Sequence, residues 1–243
     1  MNWVYLSPHL DDVALSCGGL VWEQVQAGDR VSIWTICAGN PPPGDHSAFA
    51  ESLHARWQAG PQAVPQRRAE DLRSCQVLGA TPRHFALADC IYRQDGFTGA
   101  PLYTSKEALF GEVHPAEARL VHSLWLQLAD LLNGEDNLVS PLAIGGHVDH
   151  RLVRAAAESL QRPLWYYADY PYVAWTEPRT ALSISGMQEA RFPVSEPGLA
   201  AWVEAVAAHE SQISTFWPDK AGMKVAIESY YQQIAGARLF LYK

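Results

Sequence analysis

The sequence lacks a long hydrophobic run, an excess of basic residues and closely spaced cysteines. No apolar run approaches the roughly 18 residues that a transmembrane helix requires, and no signal peptide is recognised at the start. The formal net charge is -8, whereas nucleic-acid-binding proteins normally present a basic face. We therefore expect a cytoplasmic protein that neither spans a membrane nor binds nucleic acid.

The chain shows no sign of a disulfide framework or of a second domain. Its four cysteines, at positions 17, 37, 75 and 90, form no C-x-x-C pair, which indicates reduced, buried thiols. Internal repeats, low-complexity segments and a domain linker are also absent. Because 48% of the 243 residues are hydrophobic, the chain can bury a large core. We therefore predict a single domain over residues 1–243.

Strand-like apolar runs alternate with helical patterns along the chain. Residues 3–6 predict a strand, residues 13–27 a helix that ends at Gly28, and residues 31–37 a second strand. This succession indicates a βαβ unit and a parallel sheet, and so an α/β fold. Further strands are predicted at 83–87, 137–140, 164–168, 181–184 and 239–242, and further helices at 65–78, 116–133, 151–160, 197–213 and 221–236. The helix at 65–78 is predicted to bury Ala69, Leu72 and Cys75.

Some segments interrupt this regular pattern. Gly18 and Gly19 lie inside the first helix, where each glycine costs roughly 1 kcal/mol against alanine. We expect them to allow a close approach of the helix to the sheet or the site; a later helix start, near Leu20, is the alternative.

Residues 40–60 and 90–115 have no clear period, and the first of these stretches has the length of a functional lid.

The first cluster of ionisable residues follows the first strand. Pro8 ends the apolar run, and His9, Asp11 and Asp12 follow at once, before the chain turns apolar again. Such costly groups between two core-forming elements need a reason. Histidine nitrogens and aspartate oxygens are ligands for Zn²⁺ and similar ions, so metal coordination is the first function to consider.

A second cluster, His147-Val148-Asp149-His150, follows the predicted strand that ends at Pro141. In an open parallel sheet the loops at the carboxyl ends of the strands share one edge, where ligands bind. The two clusters can therefore meet despite their separation in sequence. Residues three apart lie on one helix face, so His147 and His150 project together if a helix begins near His147. Gly145-Gly146 lets the backbone turn sharply before them.

Together the two clusters contain the groups that amide hydrolysis needs. The reaction requires about three metal ligands with an open position for water, a carboxylate that removes the proton of the water and a donor for the oxyanion. Each motif alone has an ordinary alternative, because His-x-x-His is often plain surface and Asp-Asp is often a helix cap. Their joint occurrence at two strand ends favours a site. The candidates are His9, Asp11, Asp12, His147, Asp149 and His150.

At these residues the sequence resembles the PIG-L/LmbE-like family of metal-dependent N-acetylglucosaminyl de-N-acetylases. The family motif P-H-x-D-D is similar to residues 8–12, and the motif H-x-D-H is similar to residues 147–150. The segments Arg67-Arg68-x-Glu70 and His209-Glu210-Ser211-Gln212 also resemble the family. The resemblance implies a Rossmann-like three-layer α/β sandwich with a mostly parallel central sheet.

The resemblance also implies roles for the residues of the two clusters. His9, Asp12 and His150 would bind the metal, most often Zn²⁺, with Fe²⁺ or another divalent ion as an alternative. Asp11 would be the general base, which later delivers the proton to the amine. Two positions depart from the family pattern without removing a ligand or the base, namely Leu10 and Val13.

Further roles concern the oxyanion and the substrate. The resemblance implies that His147 stabilises the oxyanion and that Asp149 holds and tunes the His147 imidazole. It also implies a substrate-binding arginine after the first long loop and an acid after the third strand, for which Arg68 and Asp89 are the matches. The ordinary alternatives are that Arg68 lies on a solvated helix face and that Asp89 caps a loop. Aromatic residues that could stack on a sugar ring, or else lie in the core, are Trp57, Tyr92, Tyr103, Tyr170 and Tyr172.

The predicted function is a zinc-dependent hydrolase that removes the N-acetyl group from a small N-acetylglucosamine-type conjugate. An amidase for another N-acyl substrate is one alternative, and a non-catalytic metal-binding module is another. Asp11 and His147 argue against the binding module, which needs neither a base nor an oxyanion donor. The T-F-D-D-G string of polysaccharide deacetylases is absent. The sequence leaves the oligomeric state open.

Overall fold

Strand β1 (Asn2–Ser7) is an inner strand, the third of seven, in the sheet of the computed structural model, which describes residues 1–58, 60–175 and 186–242. The other strands are β2 (Arg30–Thr35), β3 (Thr81–His84), β4 (Asn137–Pro141), β5 (Leu164–Tyr167), β6 (Gln188–Phe192) and β7 (Ala237–Tyr242). Their order across the sheet is β3-β2-β1-β4-β5-β7-β6. Strands β1 to β5 are parallel, whereas β7 runs antiparallel to β5 and β6. The predicted mostly parallel sheet is confirmed.

Helices connect these strands and cover the sheet. They are α1 (Asp12–Gln26), α2 (Ala48–Trp57), α3 (Ala63–Leu78), α4 (Lys106–Leu109), α5 (Ala118–Leu131), α6 (Val148–Glu158), α7 (Tyr172–Trp175), α8 (Glu196–Ala207), α9 (Glu210–Phe216) and α10 (Lys220–Ile234). Short 3-10 turns occupy Gly60–Gln62, Cys90–Tyr92 and Pro115–Glu117.

The alternation of side chains along β1 divides the core into two layers. Val4 and Leu6 pack in one cluster with buried residues of α5 and α6. Trp3 and Tyr5 point to the other face and pack with buried residues of α1, α3 and α8. Helices therefore lie on both sides of the sheet, which confirms the expected three-layer α/β architecture.

Several predicted elements differ from the structure. Residues 40–60 contain α2, which Ser47 caps by accepting the Ala50 N–H at 3.1 Å. The predicted helix at 197–213 is two helices, α8 and α9, because His209 has a non-helical backbone with φ -85° and ψ 58°. The predicted strand at 181–184 lies outside the described residues.

Helix α3 buries a polar face, contrary to the prediction. Cys75 is buried, but Ala69 is exposed and Leu72 is 49% exposed. The buried polar positions are Arg67, Glu70, Asp71 and Ser74. Hydrophobic periodicity predicts the wrong buried face for α3, because the polar side chains that point inward are stabilised by partners on other elements of the fold. Glu70, for example, accepts hydrogen bonds from the backbone N–H and hydroxyl of Ser211.

Gly18 and Gly19 lie where α1 packs against α8. A Cβ on Gly18 would lie 2.6 Å from Trp202 Cδ1, and one on Gly19 would lie 3.2 Å from Trp202 Cε3. The expected close approach is confirmed, but its partner is a helix rather than the sheet or the site. The alternative start near Leu20 is wrong, because α1 begins at Asp12.

The remaining expectations about the chain concern its thiols and its helices. All four cysteines are free and buried, as predicted. Within the described ranges, no helix combines the length and the apolarity needed to cross a membrane.

We expect Gly18→Ala to lower the free energy of unfolding by about 1–3 kcal/mol, since the new methyl group overpacks the contact with buried Trp202. Denaturant unfolding measures the difference. Gly134→Ala is the matched control, because a Cβ there meets nothing within 4 Å. Equal stability of the two variants would contradict the tight packing at Gly18.

Candidate active site

The first cluster forms a tight turn between β1 and α1. Asp11 occupies the N-cap position of α1, yet its side chain accepts no hydrogen bond from the helix. Asp12 Oδ2 accepts the His9 backbone N–H at 2.7 Å. The Ser7 hydroxyl donates to His9 O and accepts the Val13 N–H. Helix capping therefore does not account for the two aspartates.

The second cluster forms the turn from β4 into α6. Gly145 and Gly146 have φ values of 89° and 78°, which glycine adopts without strain, as the sharp turn requires. His147 is the N-cap of α6, and its Nδ1 accepts the Asp149 backbone N–H at 3.2 Å. A neutral His147 ring therefore carries its proton on Nε2. Asp149 and His150 follow in the first turn, and both are buried.

The two clusters meet at the carboxyl edge of the sheet. The ring centroid of His9 lies 4.8 Å from that of His147 and 5.4 Å from that of His150. Asp12 Oδ2 lies 3.2 Å from His9 Nδ1 and 3.3 Å from His150 Nε2. This convergence follows from the parallel pairing of β1 with β4, which sets the ends of both strands side by side.

Two histidines of the site each have one ring nitrogen next to a buried aspartate. Asp149 Oδ2 lies 3.0 Å from His9 Nε2, and Asp169 Oδ1 lies 2.6 Å from His150 Nδ1. The carboxylate of Asp149 thus contacts the His9 ring, whereas its backbone N–H makes the hydrogen bond to His147. The charge of Asp149 also acts on the pKa of His147, and its role in holding and tuning that ring stays a prediction. Sequence reasoning missed Asp169. The feature of the sequence that could have indicated Asp169 is its position as an acid just after β5, at the same edge of the sheet as the two clusters.

Arg93 connects Asp149 to a second buried carboxylate. Arg93 Nη1 lies 2.6 Å from Asp149 Oδ1, and its Nε and Nη2 donate to Glu117 at 2.5 and 3.2 Å. The Tyr103 hydroxyl also donates to Glu117, at 2.7 Å. Each buried charge is thereby paired, as burial requires. The stretch 90–115, which has no clear period in sequence, therefore supplies the support of the site.

Arg67, rather than Arg68, reaches the pocket between the two clusters. Its guanidinium lies 3.5 Å from Asp11 Oδ1 and 3.8 Å from Asp89 Oδ2, and it stacks 4.9 Å from the ring centroid of Trp57. Arg68 points about 100° further round the helix and bonds to the loop after β2. Arg68 is not among the residues that line the pocket, and its role in substrate binding stays a prediction. Asp89 does line the pocket.

The histidines of the site differ in their affinity for protons. Burial alone lowers the pKa of His150, but Asp12 and Asp169 raise it to about 10. Burial also opposes the charge of His9, yet the surrounding carboxylates raise its pKa well above the usual value. His147 has no such compensation: burial and the neighbouring His9 lower its pKa well below the usual value. The carboxylates therefore favour a positive charge, from a proton or a metal ion, at His9 and His150, whereas His147 is favoured as a neutral imidazole.

Residues of both clusters form the floor of a pocket of about 250 Å³. The floor consists of His9, Asp11, Asp12, Arg67, Asp89 and His147. Apolar and aromatic side chains from α2, α4, α7 and α9 line the walls. Of the aromatic residues considered from the sequence, Trp57 and Tyr172 line the pocket, whereas Tyr92, Tyr103 and Tyr170 are buried away from it.

Donor atoms of the floor and of the buried residues behind it fit a divalent metal. Among the described residues, three overlapping sets bring possible ligand atoms within 4.8 Å of one another: His9 with His147 and His150, His9 with Cys37 and Asp149, and Cys90 with His147 and Asp149. The buried Nε2 of His150 has no hydrogen-bond partner in the described part of the chain. Ligands of a tetrahedral zinc ion lie roughly 3.3–3.4 Å apart. The distances from Asp12 Oδ2 to the two histidine nitrogens, 3.2 and 3.3 Å, match this spacing.

Over residues 4–160, more than half of its length, the sequence matches the family described as PIG-L, GlcNAc-PI de-N-acetylase. The chain belongs to the PIG-L family. The matched range contains both clusters, and the resemblance seen in their motifs is thereby confirmed.

Similar proteins include two 2'-N-acetylparomamine deacetylases. The one from Streptomyces fradiae is 33% identical over 174 residues, which cover 69% of this chain and 56% of that protein. The chain thus matches little more than half the length of that relative. The one from Niallia circulans is 28% identical over 244 residues, covering 92% of this chain and 85% of that protein. A crystal structure of the zinc-inhibited form of teicoplanin deacetylase Orf2 has a TM-score of 0.83 at 25% identity, covering 99% of this chain and 97% of that one.

The PIG-L match ends before several parts of the pocket. Asp169, which holds His150, lies beyond residue 160, and so do Tyr172 and Phe216 of the walls. The six floor residues thus all lie within the PIG-L region, while one wall comes from the part of the chain that follows it.

We expect Glu117→Gln to lower the free energy of unfolding by about 3 kcal/mol, because it removes a charged partner from buried Arg93. Urea denaturation provides the measurement. The control is Glu228→Gln, which breaks an exposed pair with Lys224 at 3.8 Å and should change stability by less than about 0.5 kcal/mol. Similar effects of the two substitutions would show that the buried network does not support the fold.

Proposed function

We propose that this PIG-L family member is a metal-dependent hydrolase that removes the N-acetyl group of an acetylated amino-sugar conjugate and releases acetate and a free amine. The observation that carries the proposal is the position of Asp12 Oδ2 between His9 Nδ1 and His150 Nε2, on the floor of a pocket that Asp11 also faces. The similar proteins support the substrate class, since they are named as deacetylases of acetylparomamine and of teicoplanin.

His9, Asp12 and His150 would hold the metal. Nitrogen and carboxylate donors suit Zn²⁺ and also Fe²⁺. The two cysteine-containing sets fit less well, because both need Asp149, whose carboxylate already binds Arg93. A metal at this position supplies Lewis-acid activation of a water molecule and of the amide carbonyl.

Asp11 is the proposed proton carrier. Its carboxylate has no capping hydrogen bond and lies 3.5 Å from the Arg67 guanidinium. Burial raises the pKa of Asp11, and Arg67 opposes that shift. An ionised Asp11 accepts a proton from the attacking water and then delivers it to the leaving nitrogen, so that the C–N bond breaks with a neutral amine as the product.

His147 is the proposed oxyanion donor. Its Nδ1 accepts a backbone N–H, and its lowered pKa keeps the ring neutral, so the remaining proton is on Nε2. A neutral N–H donor can stabilise the negative oxygen of the tetrahedral intermediate without itself losing a proton. Because His147 lines the pocket, this donor is available to a bound substrate.

Asp149 and Asp169 are proposed to orient the metal ligands. By accepting a hydrogen bond from His9 Nε2–H, Asp149 leaves Nδ1 free as the ligand atom. Asp169 in the same way leaves His150 Nε2 free. Carboxylate–histidine pairs of this kind fix the ring orientation and strengthen the ligand.

Arg67 and Asp89 are the proposed substrate residues of the floor. They lie 3.8 Å apart, and Arg67 Nε is buried without a hydrogen-bond partner in the described part of the chain. A guanidinium and a carboxylate side by side can bind the hydroxyl groups of a sugar as donor and acceptor. Arg67 thus takes the role that the sequence suggested for Arg68.

The Asp11→Asn variant tests the catalytic assignment. We expect it to retain its metal and to lose at least about a hundredfold in turnover, because the amide cannot accept the proton of the water. Metal content and acetate release from a panel of N-acetylglucosamine conjugates are the measurements. Asp130→Asn, at an exposed position of α5, is the control and should behave as wild type.

Several outcomes would contradict the proposal. Wild-type protein that binds no divalent metal would remove its basis. Wild-type protein that binds metal but releases no acetate would favour a binding module, and release of other acids from longer N-acyl substrates would favour the broader amidase.

We expect Asp149→Asn and Asp169→Asn each to weaken metal binding by about 10–100-fold, because an amide holds the imidazole less firmly than a carboxylate does. Competition with a chromogenic chelator measures the dissociation constant. The matched control is Asp71→Asn, which alters an equally close carboxylate–histidine pair, 2.7 Å from His84, outside the pocket. Equal affinities for all variants would show that the two aspartates do not support the ligands.

A further inference from the structure

The outer part of the pocket is built by two short helices that lie within the irregular stretches of the sequence. Helix α2 contributes Phe49, Leu53, Arg56 and Trp57, at the spacing of one helix face. Helix α4 contributes Lys106, Leu109 and Phe110, again one face and its C-cap. Each helix therefore presents apolar side chains and one cation to the same space.

An aromatic wall continues from these helices to the catalytic histidines. The ring centroid of Phe110 lies 5.5 Å from that of His147 and 6.0 Å from that of Tyr172. The ring of Phe216 lies 6.4 Å from Tyr172 and 6.1 Å from Trp175. A ligand that enters the site therefore passes between ring faces and edges, which favour a flat, apolar group over a fully hydrated one.

The charges of the lining are divided between the floor and the outer part. The acids that line the pocket are Asp11, Asp12 and Asp89, all on the floor, where Arg67 contacts two of them. Arg56 and Lys106 are the charged residues of the outer part among the residues described, and neither makes a side-chain ion pair or hydrogen bond there. The lining of the outer pocket therefore carries two cations and no acid, and the nearest acidic neighbour of Lys106 in sequence, Glu107, does not line the pocket.

This local charge is notable because the chain as a whole carries a net charge of -8. Most exposed cations of such a protein can find acidic neighbours, as Lys220 does with Glu210. Arg56 and Lys106 instead lie exposed beside apolar walls at the mouth of the pocket, where their charges are available to an anion on a bound ligand. The same arrangement repels a ligand that carries further ammonium groups.

We propose that the substrate of this enzyme is an N-acetylated amino-sugar conjugate whose remaining part is an apolar ring system bearing an anionic group, which Arg56 and Lys106 recognise. The proposal rests on the deacetylase function proposed above and adds the chemistry of the part that is not hydrolysed. The acetamide lies on the floor, the ring system lies between the aromatic walls, and the anion meets the two cations at the mouth.

Matched synthetic glycosides of N-acetylglucosamine, each prepared as both the α and the β anomer, test this assignment. The set comprises the methyl, phenyl, 4-carboxyphenyl and 4-(trimethylammonio)phenyl glycosides, and acetate release gives kcat/KM for each. We expect the phenyl glycoside to exceed the methyl glycoside by about tenfold, through burial of the ring. The carboxyphenyl compound should exceed the trimethylammonio compound by about tenfold at low salt, with a smaller ratio in 1 M NaCl, which screens exposed charges.

Substitutions then assign the charge preference to the two side chains. Arg56→Gln and Lys106→Gln should each reduce the preference for carboxyphenyl over phenyl by about two- to fivefold, the scale of one exposed charge pair. The double substitution by glutamate should reverse the preference in favour of the trimethylammonio compound. Arg119→Gln removes an exposed arginine of α5 that does not line the pocket, and it should leave the preference unchanged.

The possible failures are distinguishable. Release of acetate from none of the four glycosides would overturn the deacetylase function itself. Turnover of all four at similar rates, or a preference for the trimethylammonio compound in the wild type, would overturn only the inference about the anionic ring system. A preference for the carboxylate that survives the double glutamate substitution would show that other residues recognise it.

Discussion

The parallel pairing of β1 with β4 is the constraint on which the site depends. Each strand ends in a turn that leads into a helix, and the pairing brings the two turns within contact distance although about 140 residues separate them. An antiparallel arrangement would place these turns at opposite edges of the sheet. Asp12 could not then lie between His9 and His150, and neither cluster alone offers a complete set of ligands.

Bringing so many ionisable groups together at a buried edge creates an electrostatic problem, which the fold solves by pairing. Glu117, Arg93, Asp149 and His9 form one series of alternating charges, and Asp169 holds His150. Arg67 lies between Asp11 and Asp89 on the other side. Each charge reduces the desolvation cost of the next. Asp11 has no hydrogen bond from the helix it precedes, and His150 Nε2 faces Asp12 without a hydrogen bond in the described part of the chain; the proposed chemistry uses these two groups.

Sequence reasoning pointed to the candidate site but did not predict all of the contacts within it. The P-H-x-D-D and H-x-D-H clusters could be recognised because several ligand types follow a strand end within a few residues. The choice between Arg67 and Arg68 could not be made in this way, because α3 buries polar groups and its hydrophobic pattern points to the wrong face. Asp169 carries no motif, and its partner His150 became apparent only from the packing of β5 beside β4.

The sequence by itself determined the chemical composition of the site and the class of fold, because strand–helix alternation and the spacing of ligands are local properties of the chain. The tertiary structure decided which nitrogen each aspartate holds, which arginine faces the pocket and which side chains form its walls. These features depend on the rotation of helices and on contacts between distant segments, such as α2, α4 and α9 around one pocket. The irregular stretches thereby acquire a function that their lack of period could not reveal.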